Sequence, residues 1–182
     1  GGGGQDSGQF RVAEDLAAVA PRLHEAVERG VPMLAICGLY QLFGRSFRTG
    51  AGETLSGIGI FDLETVAGTE RLIGNIVLDT PEFGQVVGYE NHSGLTYLGQ
   101  DVQPLGTVTL GQGNNLDDAG EGARVHHVIG SYLHGSLLPK NPRITDYLIG
   151  QAARRRCGSF DPEPIDDTLT ERAREVAASR PR

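Results

Sequence analysis

The stretch that most constrains this chain is Val31-Pro32-Met33-Leu34-Ala35-Ile36, an uninterrupted apolar run bracketed by Gly30 and by Cys37-Gly38. A run this short, without polar alternation, reads as a fully buried strand of a parallel sheet. The flanks agree with an α/β layout. Before the run, Leu16, Val19, Leu23 and Val27 recur at spacings of three and four, so Val12 to Arg29 is expected to be helical. Pro21 lies inside that stretch and predicts a break or kink near Ala20, and Gly30 supplies a left-handed stop. After the run, Gly38 to Gly44 reads as the start of a helix.

The middle of the chain is strand-rich. Gly57 to Leu63, Leu72 to Leu78, Gln85 to Glu90 and Gly106 to Leu110 are expected strands, separated by Gly, Pro, Asp and Asn turn signals. His126 to Tyr132 is a further expected strand, ending at His134-Gly135. Asn141 to Arg156 is expected to be helical. Thr168 to Ser179 forms a charged amphipathic helix, preceded by Asp and Arg-rich later, a polarity that suits the helix dipole.

Composition narrows the function classes. The chain has 182 residues, enough for one domain with a sizeable core. Its net charge of -7 argues against nucleic-acid binding, which needs clustered Lys and Arg. No apolar run approaches the roughly 20 residues of a membrane span. Cys37 and Cys157 are far apart in sequence and form no metal-ligand pattern, which favours free thiols in a reducing, cytoplasmic setting.

Cys37 carries the clearest chemical signal. It ends an expected buried strand and precedes Gly38 at an expected helix entry, the context of a nucleophile elbow. A helix N-terminus stabilises a thiolate and offers backbone N–H groups to a developing oxyanion. The competing reading is a small buried hydrophobe, and position alone does not separate the two. His134 follows the last expected strand and adjoins Gly135. Strand ends at one edge of a parallel sheet converge on one crevice, so this histidine is placed to act as base toward Cys37. His24, His126 and His127 read as structural. His92, in the polar segment Glu90-Asn91-His92-Ser93-Gly94 and an expected loop, is a weaker second candidate.

Four ordered segments then carry a family resemblance: Gly1-Gly2-Gly3-Gly4-Gln5-Asp6, Leu34 to Gln41, Tyr89 to Gly94 and Ser131-Tyr132-Leu133-His134-Gly135. Together they resemble class I glutamine amidotransferases of the cobyric acid synthase-like branch, and within it the GatD-type small glutaminase subunits. Gly111 to Asn115 and Leu138 to Asn141 resemble further family segments. The resemblance implies a flavodoxin-like three-layer fold around a mostly parallel sheet, spanning residues 1–164, with residues 165–182 as a charged helical tail. It assigns Cys37 as the nucleophile forming a γ-glutamyl thioester and His134 as its base. It places the oxyanion donors at Gly38 and at Gly3 or Gly4, and gives Gln41 and Arg71 to glutamine binding. No metal site and no cofactor are expected in this chain. ATP and Mg are expected on a partner, a MurT-like protein of the Mur ligase family, through which lipid II is reached.

Two departures from the family pattern accompany this. The acidic residue common two places after the histidine is replaced by Ser136, which suggests that a carboxylate of the partner completes a triad. The glycine run also opens the chain without the βαβ unit that precedes it in the family, on the order of 30 residues. The expectation is an N-terminally truncated sequence lacking strands of the sheet. The corrinoid-amidating synthases, which share Tyr-Leu-His-Gly, and a non-catalytic binding subunit are the alternative readings.

Overall fold

The computed structural model describes residues 6–180. Helix α1 (Asp6–Glu28) leads into β1 (Met33–Ile36), α2 (Gly38–Leu42), β2 (Ser46–Arg48) and β3 (Thr54–Ser56). The long strands β4 (Leu63–Thr80) and β5 (Gly84–Leu98) follow, then β6 (Gly106–Leu110), β7 (Gly120–Glu121), β8 (Ala123–Val125) and β9 (Val128–Ser131). The chain closes with α3 (Leu137–Lys140), α4 (Pro142–Cys157) and α5 (Thr168–Ala178). No helix among the described residues is long and apolar enough to cross a membrane.

Two sheets meet at the core. In the first, of order β1-β9-β8, β1 runs parallel to β9 with Ile36 opposite Ser131, and β8 pairs antiparallel to β9. The second is built on the antiparallel β4–β5 hairpin, and the other edge of β4 pairs with β2, followed by β3, near its start and with β6, followed by β7, near its end. Among the described residues the sheet structure is therefore mixed rather than mostly parallel, because the tight Thr80–Gly84 turn folds β5 straight back on β4. The Thr80 hydroxyl donates to Gly84 O at 2.8 Å and accepts from Phe83 N at 3.0 Å, and Gly84 takes a left-handed φ of 68°.

β9 explains why Val128 and Ile129 are both apolar. Alternate side chains face opposite ways along a strand. Val128 joins a cluster with Ala35, Tyr40, Phe61 and Tyr132, while Ile129 joins one with Ile76, Leu78, Leu133 and Ile144. Gly130 has no side chain because none fits. A Cβ there would lie 2.2 Å from Tyr40 Cδ2 and 2.8 Å from Phe61 Cε2, both rings fully buried.

Several local expectations are corrected. α1 runs unbroken through Pro21, since Pro21 and Ala17 are exposed and the carbonyl that loses its partner can turn to water. Val19 faces solvent, while Phe10, Ala13 and Leu16 pack on Leu42, Phe47 and Leu55. β1 is less enclosed than its composition suggests: Ala35 is fully buried, but its neighbours are half-buried. Gly57 to Asp62 is a loop rather than a strand. Its N–H groups cap the end of α2 instead of joining a ladder, with Ile58 N on Leu42 O and Phe61 N on Phe43 O, both at 2.9 Å. His126, with φ 52°, and His127 form the β8–β9 turn and are not within a strand. Asn91 to Gly94 lies inside β5 rather than in a loop.

Candidate active site

Cys37 sits between β1 and α2 with φ 55° and ψ -115°, one of three described non-glycine residues with positive φ. Such a conformation costs on the order of 1–3 kcal/mol and persists only where its surroundings enforce it. Here Cys37 N donates to Ser131 O at 2.9 Å, continuing the β1–β9 ladder, and Cys37 O accepts from Gln41 N at 3.0 Å, opening α2. The chain thus passes from strand to helix through a single residue. Gly38, first in the helix, has no intrahelical acceptor for its own N–H.

His134 leaves the neighbouring strand at the same edge. Beyond Ser131 the chain turns, Leu133 N donating to Ser131 Oγ at 2.9 Å, and His134 N then donates to Tyr89 O of β5 at 2.6 Å. Its Nδ1 is buried and accepts or donates no hydrogen bond among the described residues. Burial holds the imidazole pKa below its ordinary value, and the Arg71 guanidinium adds to this. The backbone of Tyr132 and Tyr89 opposes it, without closing a well-formed bond on Nδ1.

A buried polar wall stands behind the pair. Tyr132 receives a hydrogen bond from Gln41 Nε2 at 3.0 Å, and its hydroxyl lies 2.7 Å from Thr96 Oγ1. Burial raises the pKa of its phenol, and Cys37 is among the groups acting on it. His92 stacks face to face on Tyr132, centroids 3.6 Å apart, with Nδ1 2.8 Å from Gly94 O. Burial pushes its pKa down to about 4, with His134 and Arg71 contributing, so this imidazole is neutral. Gln41, expected to help line a glutamine pocket, is buried. Its Oε1 accepts from Gln9 of α1 at 3.1 Å while its Nε2 serves Tyr132. Gly94 is required beside it, since a Cβ there would come within 2.3 Å of Gln41 Nε2.

Arg71 lies at the register shift of β4 between Ala67 and Leu72, exposed, with Nε donating to Asn91 Oδ1 at 2.7 Å. Its charge reaches both His134 and His92. Ser136 has φ 51° and ψ 29° and sits at the N-cap position of α3 without a side-chain capping bond; no carboxylate among the described residues bonds His134 Nδ1. Gly3 and Gly4 lie outside the described residues. Among the described residues no group of three or more His, Cys, Asp or Glu is placed to hold a metal.

Sequence reasoning missed two buried carboxylates. Glu90 accepts from Gln112 N and Gly113 N, each at 3.0 Å, and so shapes the Gly111–Asn115 segment; Asn114 in turn accepts from the Tyr40 hydroxyl at 3.1 Å. Glu121 accepts from Tyr132 N at 2.7 Å and from Ser131 Oγ at 3.1 Å. The flanking glycines were the available signal: at Gly122, with φ 68°, a Cβ would lie 2.6 Å from Gly130 O. Asn141, in the other family segment, bonds both the N–H and the carbonyl of Val87 at 2.9 Å.

This arrangement of a strained thiol and a deprotonated imidazole on adjacent strand ends suits attack on an acyl carbon. The chain is 44% identical over 179 residues to a Staphylococcus aureus (strain N315) protein named lipid II isoglutaminyl synthase (glutamine-hydrolyzing) subunit GatD. The match covers 98% of this chain and 73% of that protein. The protein of the same name from Streptococcus pneumoniae (strain R6) is 36% identical, over 86% of this chain and 61% of its own length. A probable cobyric acid synthase of Methanococcus maripaludis (strain C7) is 33% identical, over 74% of this chain but 29% of its own length. In fold, the chain is similar to the crystal structure of a glutamine amidotransferase from Thermotoga maritima. The TM-score is 0.51 at 13% identity, over 97% of this chain and 70% of that one. Residues 1–142 match the CobB/CobQ-like glutamine amidotransferase domain, and the chain belongs to that family.

Proposed function

We propose that this chain is the glutaminase subunit of a lipid II isoglutaminyl synthase, hydrolysing L-glutamine at Cys37 and passing ammonia to an ATP-dependent Mur-ligase-like partner in the cytoplasm. The partner amidates the α-carboxyl of D-glutamate in the lipid II stem. The observation that carries the reading is the Cys37 elbow, hydrogen-bonded to the strand end that leads to His134. Identity of 44% to a GatD subunit, against 33% to a cobyric acid synthase, favours the peptidoglycan acceptor over a corrinoid one.

In this mechanism the thiol proton moves to His134 as Sγ attacks the glutamine Cδ. The oxyanion is held by backbone N–H groups, that of Gly38 among them. Collapse of the tetrahedral intermediate expels ammonia, which takes the proton from His134, and leaves a γ-glutamyl thioester on Cys37. Water, deprotonated by His134, then releases glutamate. Gln41 supports this site indirectly by fixing Tyr132. A carboxylate from the partner completes the triad at the unpartnered His134 Nδ1. The test is transfer of label from amide-15N glutamine to the D-glutamate of lipid II by the full-length protein with its ligase. Label appearing in ammonia but never in lipid II would exclude the acceptor. No label in either would exclude the glutaminase.

To Arg71 we assign binding of the substrate α-carboxylate through its guanidinium. Arg71→Ala is expected to raise KM for glutamine about tenfold or more, the loss of a charge-assisted contact of roughly 1.5–3 kcal/mol. Because Arg71 lowers the His134 pKa, the same variant shifts the acid limb of the pH–rate profile to higher pH. An unchanged KM would remove Arg71 from the substrate site.

A further inference from the structure

We propose that Glu121 is a positioning residue for the Cys37–His134 pair: its buried carboxylate fixes the Ser131–Tyr132 corner from which both reacting groups are hung. The proposal rests on the glutaminase reading above. Glu121 ends β7, opposite Gly106 of β6, and is fully buried. A carboxylate is costly to bury, and no salt bridge to Glu121 occurs among the described residues, so its place needs an explanation other than pairing with a cation.

The explanation lies in where β9 stops. The chain must leave the sheet at Ser131 and cross to Tyr89 within three residues, which strips Tyr132 N and Leu133 N of ladder partners inside the core. Buried N–H groups need acceptors. Glu121 Oε1 accepts from Tyr132 N at 2.7 Å, and both carboxylate oxygens lie within 3.2 Å of Ser131 Oγ. Ser131 Oγ, oriented by that donation, accepts from Leu133 N at 2.9 Å. An ionised carboxylate accepts on four lone-pair sites and donates nothing, which matches a corner made only of donors.

Both reacting groups depend on that corner. Ser131 O receives Cys37 N at 2.9 Å, so the corner anchors the strained elbow. Three residues on, His134 is held from the other side by Tyr89 O. Displacing Ser131 and Tyr132 therefore moves the thiol and the imidazole relative to one another without touching either side chain.

The groups facing Glu121 are Glu90 from β5, Tyr40 from α2 and the Tyr132 backbone. Burial, with Glu90 adding, raises its carboxyl pKa to about 7, against the hydrogen bonds that favour ionisation. The corner is held most firmly with Glu121 ionised, above pH 7, and loosens as pH falls through that value.

The experiment compares Glu121→Gln with the parent and with Ile144→Val, a buried change in the other cluster, in the full-length protein bound to its ligase. Expected for Glu121→Gln are a fall of about tenfold in kcat for ammonia release and a KM within about twofold of the parent. The acid limb should become that of one proton in place of two. Ser131→Ala, which keeps the carboxylate but removes its link to Leu133, should shift the same readouts less. Independently of turnover, 15N spectra of the His134 imidazole should show an altered pKa in Glu121→Gln and none in Ile144→Val. Unchanged kcat, limb and His134 titration in Glu121→Gln would overturn the proposal, as would losses matched by Ile144→Val. If the parent releases no ammonia, the glutaminase reading falls, and the His134 titration alone decides whether Glu121 governs that imidazole.

Discussion

Replacing Cys37 with alanine in the full-length protein is expected to abolish glutamine hydrolysis, a loss of about 10⁴-fold or more, while leaving the fold intact. Removal of a covalent nucleophile eliminates the two-step route, and the remaining polar groups give only modest catalysis over water. The structural cost is small. Alanine meets the same backbone strain at φ 55° as cysteine does, and the side chain is half-buried with one heavy atom to lose. Hydrogen bonds from Cys37 N to Ser131 O and from Gln41 N to Cys37 O are backbone bonds and survive the change. The measurement pairs steady-state ammonia release with covalent labelling by an electrophilic glutamine analogue, both lost together in the variant. Activity within tenfold of the parent would sink the nucleophile assignment and leave the chain as a binding subunit.

The second large effect concerns His134. His134→Gln should lower kcat about 10²–10⁴-fold, the usual contribution of a general acid–base group. The pH dependence follows from the direction of its shift. Burial and Arg71 disfavour the charged imidazole, so its pKa lies below the ordinary 6.5 and the ring is an unprotonated base at neutral pH. In the isolated subunit the His134 limb should therefore lie on the acid side of the ordinary imidazole range, below the Glu121 limb that begins near pH 7. The carboxylate proposed to come from the ligase would favour the charged ring, raise this pKa and speed proton abstraction. The limb should then move to higher pH in the complex while the rate increases. Equal rates and superimposable profiles for the isolated subunit and the complex would rule out a partner carboxylate.

How much of this was legible in the sequence depended on whether local pattern or distant neighbours decided the outcome. The apolar run before Cys37 was sufficient to place β1, and the Gly106–Leu110 run coincides with β6. The amphipathic stretches near residues 142–157 and 168–178 were legible from periodicity and composition alone. By contrast, Gly57 to Asp62 has the composition of a strand but finds its hydrogen-bond partners at the end of α2, which no window of sequence contains. His92 looked like a loop residue because its neighbours are polar. It is buried because Tyr132, forty residues away, offers a flat ring to stack on.

The sequence by itself determined the chemistry available: a cysteine at a strand-to-helix turn, a histidine after a later strand, and a serine at 136 where the resembled family commonly has an acid. Those facts reside in residue types and their order. Only the tertiary structure decided how the two reacting residues are held. Parallel pairing of β1 with β9 sets Ile36 opposite Ser131 and so carries Cys37 to the corner that leads to His134. It also decided that Gln41 braces Tyr132 from within, and that Glu121, set between two glycines, secures the corner. The reason is physical. A buried carboxylate is explained by the donors that fold around it, and those donors come from parts of the chain that meet only when the sheet is assembled.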